Sequence, residues 1–199
     1  MKLYGDHRSG NCYKVLLTAA LLGIELTWVD IDIMSGGTQT AAFLRLNPLG
    51  KIPLLQVDNQ TRLSESNAIV NYLAYQSALI PQSRLHWAQV QQWQFFEQYS
   101  HEPYIAVARF IQLYLGLPVS RMQEYKEKQA GGHKALAVME QHLQQNEFLV
   151  NQQLSVADVS LFAYTHVADE GGFDLSPYPA ILAWLDRIRA LPQFVAMTK

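Results

Sequence analysis

Two stretches of this chain combine residue types that chemistry can use, and both favour an anion. The first is Arg8-Ser9-Gly10-Asn11-Cys12-Tyr13-Lys14, between a short strand candidate and a helix candidate. A loop that leaves the carboxyl end of a strand and feeds a helix N-terminus is where α/β proteins bind ligands. Ser9 offers a hydroxyl, Asn11 a carboxamide, and the helix start the positive end of a dipole. The second is Leu46-Asn47-Pro48-Leu49-Gly50-Lys51-Ile52-Pro53-Leu54-Leu55, followed by Leu63-Ser64-Glu65-Ser66-Asn67-Ala68-Ile69. It reads as a turn, a proline opening a strand, a short hairpin, and a polar helix N-terminus whose free N–H groups suit a carboxylate. Ile52 precedes a proline, so it is extended, with its backbone amide and carbonyl facing solvent. Together the two stretches read as the halves of a receptor for a small anionic peptide.

Neither stretch reads as a nucleophile site. Ser9 has no GxSxG elbow and no local His-Asp order, so it serves as a donor to an anion or simply as a helix cap, and the residues leave both open. Cys12, in the first turn of a helix, has either a lowered pKa or the part of a small buried hydrophobe; burial is the expectation. The six histidines are scattered, without HExxH or Cys/His pairing, so no metal site is expected. There is no GxGxxG and no Walker-type loop.

The elements that must position these residues follow from pattern. Lys2-Leu3-Tyr4 is a strand, Tyr13 to Leu22 a helix stopped by Gly23, and Leu26 to Ile33 a strand by its alternation of β-branched and aromatic residues. Ala41 to Leu46 is a short helix. Pro53 to Val57 and Thr61 to Leu63 are hairpin strands around Asp58-Asn59-Gln60, and Glu65 to Tyr75 is a helix. The order β-α-β-α-β-β-α implies a small mixed sheet with a parallel first pair and helices on both faces. After the linker Leu79 to Ser83 the pattern is wholly helical: Arg84 to Leu115 with a kink at Pro103, Ser120 to Gln145, Ser155 to Ala168, and Pro179 to Ala190. Gly131-Gly132 inside the second of these implies close packing or a bend. Ser155-Val156-Ala157-Asp158 is a capping box with Leu154 and Val159 placed as a hydrophobic staple, a folding signal with no catalytic part. The chain therefore divides into an α/β part, residues 1–78, and an all-helical part, residues 84–199.

Composition limits the function. The 199 residues are 49% hydrophobic and 16% charged with a net charge of −2, which suits packed cores and supplies no basic stripe for nucleic acid. No run approaches the ~20 apolar residues of a membrane span, and the polar N-terminus is unlike a signal peptide. A single cysteine excludes an internal disulfide and suits a reducing, cytoplasmic location.

Taken in order, the serine loop, the Asn47-Pro48-x-Gly50-Lys51-Ile52-Pro53 turn, the Glu65-Ser66-Asn67-Ala68-Ile69 start and the Ser155-x-x-Asp158 box resemble the cytosolic glutathione transferase family over nearly the whole chain. The resemblance implies a thioredoxin-like N-terminal domain, 1–78, that binds glutathione, and an all-helical C-terminal domain, 84–199. It implies that Ser9 hydrogen-bonds the glutathione sulfur, that Ile52 pairs its backbone with the cysteinyl part, and that Pro53 is a cis-proline. Glu65 and Ser66 then hold the γ-glutamyl ammonium and carboxylate. Lys51 meets the glycyl carboxylate, and Thr38 lies where some classes place a histidine for that group. Ser9-x-x-Cys12 is similar to the serine-type classes. Asn11 and Lys14 are similar to bacterial nu-class-like proteins, in which a Thr or Ser with an Asn faces the sulfur and disulfides are reduced with glutathione. The implied function is activation of the glutathione thiolate, as co-substrate, for attack on a small hydrophobic electrophile. Disulfide reduction and a non-catalytic binding module on the same fold are the alternatives. A two-fold homodimer is implied, with His101, Tyr104 and Arg109 as candidates for lining the electrophile pocket.

Overall fold

The strand β1 (Lys2–Gly5) is central to the α/β half. It pairs in parallel with β2 (Thr27–Asp30) and antiparallel with β3 (Leu54–Gln56), and β4 (Arg62–Leu63) extends the sheet antiparallel to β3, giving the order β2-β1-β3-β4. Leu3 sits opposite Leu55 in this register, and both are fully buried. The hairpin closes because Asp58 Oδ1 accepts from the backbone N–H groups of Gln60 and Thr61, at 2.8 and 2.7 Å. The strand expected over Leu26 to Ile33 pairs only from Thr27 to Asp30. Asp32 ends it, drawing the N–H groups of Met34 and Ser35 onto its carboxylate and turning the chain. Helices α1 (Gly10–Leu21), α2 (Ala41–Leu46) and α3 (Ser66–Leu73) complete this half; α1 packs on α3, and Val15 and Leu17 of α1 and Ile69 and Val70 of α3 are fully buried.

The computed structural model describes residues 1–198, in two compact units: residues 1–77 with 192–198, and residues 78–191. Residues 192–198, read from sequence with the helical part, lie with the first unit, where the Tyr13 hydroxyl donates to the Val195 carbonyl at 2.8 Å.

In the second unit the long helix expected over Arg84 to Leu115 is one run of changing pitch. α4 (Arg84–Phe96) passes into a π-helical turn (Glu97–His101), then α5 (Glu102–Arg109), then a second π-helical turn (Phe110–Tyr114). Pro103 has no N–H and its ring crowds the carbonyl four residues earlier, so the ladder widens just ahead of it rather than breaking. Three more helices follow, α6 (Met122–Leu143), α7 (Val156–Thr165) and α8 (Pro179–Arg189). Gly131 and Gly132 are where α6 lets two rings close in: a Cβ at Gly131 would collide with Tyr104, and one at Gly132 with Phe173.

Every residue of α7 is buried, and the polar member that makes this tolerable is Asp158. Its Oδ2 accepts from the Ser155 N–H and hydroxyl, both at 2.9 Å. Its Oδ1 accepts from the Leu149 N–H at 2.9 Å and the Trp184 indole at 3.0 Å. The capping box therefore also ties the preceding loop and α8 to the start of α7. Burial pushes the Asp158 carboxyl up to about 6 against the pull of these hydrogen bonds. Among the described residues, no helix is long and apolar enough to cross a membrane.

Candidate functional site

Ser9 is the N-cap of α1, and its Oγ accepts from the Cys12 backbone N–H at 3.3 Å. Capping uses a lone pair and leaves the hydroxyl hydrogen to donate, so cap and anion donor are compatible roles in one residue. Cys12 is fully buried beneath it. Burial pushes its thiol up to about 12, and the hydrogen bond from the Ser9 side chain reverses only part of that rise. The thiol is a core group, in line with the expectation from sequence.

The N-termini of α1 and α3 meet at side chains. The Ser66 hydroxyl, at the first residue of α3, donates to Asn11 Oδ1 at 3.0 Å, and Lys14 Nζ, on the next turn of α1, donates to the Ser66 hydroxyl at 3.3 Å. Lys14 is 0% exposed and Ser66 6%, while Asn11 is half-buried. Two positive dipole ends and an ammonium thus converge on one locality.

Glu65, the residue before α3, has φ 67° and ψ 111°, outside the regions a non-glycine residue favours. Such a backbone costs on the order of 1–3 kcal/mol and persists only where its surroundings hold it. Here the helix begins at once, with the Ile69 N–H on the Glu65 carbonyl at 3.0 Å, and Ser66 is anchored by Asn11. The Glu65 side chain is exposed.

The third part is the turn ahead of β3. Asn47 is buried and clamps it: Nδ2 donates to the Lys51 carbonyl at 2.8 Å, and Oδ1 accepts from the Leu49 N–H at 3.2 Å. Gly50 takes φ 60°, and a Cβ there would lie 2.7 Å from Gln39 Nε2. Lys51 is exposed, Ile52 half-buried, and the Ile52–Pro53 peptide is cis. Thr38 is buried, and its Oγ1 accepts from Gln39 Nε2 at 3.2 Å, while Gln39 also donates to the Gly50 carbonyl at 3.2 Å. Gln39 is the exposed member and bridges to the turn that carries Lys51. Nothing in the sequence separates Thr38 from Gln39, because only the facing of the 3-10 turn over Gly37–Gln39 decides which is open.

The three residues proposed to line an electrophile pocket belong to the second unit. His101 is fully buried, with Nε2 at 2.9 Å from Thr165 Oγ1; Arg109 is 4% exposed and paired with Glu170 at 2.7 Å; Tyr104 packs against Gly131 with Lys128 Nζ over its ring. His101 and Arg109 are thus turned inward, and Tyr104 is half-buried. The open face of the same run carries Gln98, Glu102, Ala106 and Phe110, which with Arg121 and Glu124 line a cavity of about 390 Å³.

Residues 8–76 match the model of the glutathione S-transferase N-terminal domain, and residues 94–192 that of the glutathione S-transferase C-terminal domain. The crystal structure of a glutathione S-transferase from Pseudomonas fluorescens is 56% identical, with a TM-score of 0.97 over 100% of this chain and 98% of that one. Glutathione S-transferase 3 of Zea mays is 30% identical over 98% of this chain and 91% of its own length. A maleylacetoacetate isomerase from Methylobacterium extorquens, solved with bound malonate and GSH, is 25% identical with a TM-score of 0.82, covering 97% of this chain and 94% of that one.

Proposed function

The chain belongs to the glutathione S-transferase family and is a glutathione transferase enzyme, and from that premise we propose that it activates the glutathione thiolate on the face formed by the starts of α1 and α3 and the Asn47–Pro53 turn. The observation that carries this reading is the junction of the two helix starts through Asn11 and Ser66, beside the strained Glu65 and one turn from the Ser9 cap. The sulfur lies against the Ser9 hydroxyl and the Asn11 carboxamide. Glu65 takes the γ-glutamyl ammonium, and the backbone N–H groups at the start of α3, that of Ser66 first, take its carboxylate. The Ile52 backbone, next to Pro53, pairs with the cysteinyl part. Lys51 takes the glycyl carboxylate with Gln39 beside it, where the sequence had suggested Thr38.

The energetics are of the right size. A thiol with pKa near 8.5 is only about 3% ionised at pH 7, and lowering it by about two units is worth roughly 2.7 kcal/mol. Hydrogen bonds to a charged group at ~1.5–3 kcal/mol each, aided by a helix N-terminus, supply that. The thiolate then attacks a small hydrophobic electrophile, displacing its leaving group, or one sulfur of a disulfide. A side-by-side assay of a model aryl halide and hydroxyethyl disulfide with glutathione separates conjugation from reduction. A protein inactive on both that also gains no thermal stability from millimolar glutathione is a binding module, and the reading fails.

The assembly we propose is a two-fold homodimer in the cytoplasm. Leu85, Phe95 and Tyr99 support it, leaving large apolar surfaces exposed on α4 and the turn after it, at 65, 63 and 81%. Sedimentation equilibrium showing only a 22.6 kDa species excludes the dimer.

A further inference from the structure

Residues 192–198 form neither helix nor strand and lie with the first unit. Side chains of α1 and of the loop before it meet this segment at two points. Tyr13 is 2% exposed, and its hydroxyl, which burial obliges to find a partner, donates to the Val195 carbonyl at 2.8 Å. Three residues on, Thr198 Oγ1 is hydrogen-bonded to His7 Nδ1 at 3.3 Å. Residues 195–198 border a cavity of about 310 Å³ that Leu16, Ala20, Ile24 and Leu26 also line, and Val195, Ala196 and Thr198 are exposed. Close packing leaves few voids of that size, so polar ties set where this segment runs.

The two anchors bracket Ser9. His7 is two residues before it, with its ring stacked on Trp28 at 4.1 Å between centroids and Nε2 3.6 Å from Asp30. Tyr13 is four residues after it and gives its own N–H to the Ser9 carbonyl at 2.9 Å. The chain over residues 7–13 is thus closed into a ring by the path from Tyr13 to Val195, along to Thr198 and back to His7, and Ser9 sits on that ring. A donor to a reacting atom has to be held to within about 0.5 Å, and a closed ring has less freedom than an open loop.

We propose that the C-terminal segment, residues 195–198, is a positioning element for the reaction: tied to Tyr13 and His7, it closes the ring that holds the Ser9 hydroxyl in place for the glutathione sulfur. This rests on the assignment of Ser9 to the sulfur made above. The alternative, that the segment only covers an apolar face of α1, is separated by substitutions that cut the ties and keep the cover.

The readout is the thiol pKa of enzyme-bound glutathione, taken from the ultraviolet absorbance of the thiolate against pH. Tyr13→Phe and Thr198→Val each open the ring and leave apolar atoms in place. Each is expected to raise the bound thiol pKa by about half a unit, roughly a threefold loss of thiolate at lower pH. The two together are expected to do no more than the larger alone, because a ring is opened once. Thr198→Ser, which keeps the hydroxyl, stays at the wild-type value. In a Ser9→Ala background Tyr13→Phe shifts nothing further, since the segment acts through Ser9. The proposal is overturned if Tyr13→Phe and Thr198→Val leave the bound thiol pKa at the wild-type value, whatever they do to thermal stability. It is equally overturned if their shifts add in full, or if Tyr13→Phe shifts the Ser9→Ala enzyme as far as the wild type. Should Tyr13→Phe fail to fold, the Thr198 pair decides alone. A Ser9→Ala enzyme with an unmoved thiol pKa refutes the wider assignment of Ser9, and the part of the segment falls with it.

Discussion

The Asp158 cluster and the Asn11–Ser66 junction are both networks of polar side chains at helix N-termini, yet they are built to opposite ends. Around Asp158 the two carboxylate oxygens are saturated by Ser155, Leu149 and Trp184, and the residue is 0% exposed. Around Ser9 and Asn11 the side chains are half-buried, the cap leaves a hydroxyl hydrogen in hand, and the neighbouring Glu65 sits in a costly backbone conformation. A satisfied network gains nothing from a ligand. One with donor capacity in reserve, held by strained neighbours, does. The same chemical vocabulary therefore separates a folding device from a binding site once accessibility and hydrogen-bond saturation are counted.

The sharpest way to break that distinction is to remove its most saturated member. Asp158→Ala leaves the Leu149 and Ser155 N–H groups and the Trp184 indole buried without an acceptor. At about 1–3 kcal/mol for each lost partner, partly relieved by relaxation, a loss of about 3–5 kcal/mol in urea-unfolding free energy is expected. Loss of activity should follow only through unfolding. The opposite pattern is expected of Ser9→Ala. Losing a donor to a charged sulfur costs about 1.5–3 kcal/mol of transition-state stabilisation, roughly 10- to 150-fold in kcat/KM. The cost to stability, through the cap, stays near 1 kcal/mol. If Ser9→Ala unfolds the protein and keeps its turnover, the two regions are not different in kind.

Between these lies a test of packing in the helical unit. Gly132→Ala gains about 1 kcal/mol of helix propensity but drives a methyl group into the buried Phe173 ring. Overpacking a filled core costs about 1–3 kcal/mol, and Phe173 has no flexible end to swing away, so a net loss of about 1–2 kcal/mol is expected by thermal or urea unfolding. A stabilised Gly132→Ala would show that the ring yields.

How much of this was legible in the sequence depends on how local the cause is. The Ser155 cap, the turn at Asn47-Pro48 and the hairpin at Asp58 are set by residues within a few positions of each other, and they read directly. The early end of β2 was hidden because Asp32 looks like one more alternating residue until its carboxylate is seen to draw on Met34 and Ser35. The burial of His101 and Arg109 was hidden for a different reason. Each π-helical turn adds a residue to the turn and rotates the helix beyond it by about 100°. A straight-helix wheel therefore mixes His101, Tyr104 and Arg109 with the open stripe that Gln98, Glu102, Ala106 and Phe110 occupy. The hydrogen bond from Lys14 to Ser66 was invisible because it joins α1 to α3, 52 residues apart along the chain.

The smallest effect expected is a cancellation within the saturated region. Asp158 has its carboxyl raised by burial to about 6 from 3.8, and His166, at the C-cap of the same helix, has its imidazole lowered by burial to about 4 from 6.5. Between about pH 4 and 6 the folded chain keeps both groups neutral, while the unfolded chain ionises both. For the carboxyl, the folded state binds the extra proton, so its contribution to stability falls as pH rises through that window. For the imidazole, the unfolded state binds it, so its contribution rises and is lost again as pH falls towards 4. Each change is about 3 kcal/mol, opposite in sign, and the sum is under about 1 kcal/mol. His166→Phe keeps a ring against Phe162, on which the imidazole stacks with centroids 4.6 Å apart, and removes one side of the balance. The stability difference between wild type and His166→Phe, in which the other ionising groups cancel, should grow by about 3 kcal/mol from pH 4 to 6.5 in urea titrations. A difference that stays constant over that range would mean that the imidazole is charged in the folded chain, and that α7 tolerates at its C-terminus a charge its interior was built to exclude.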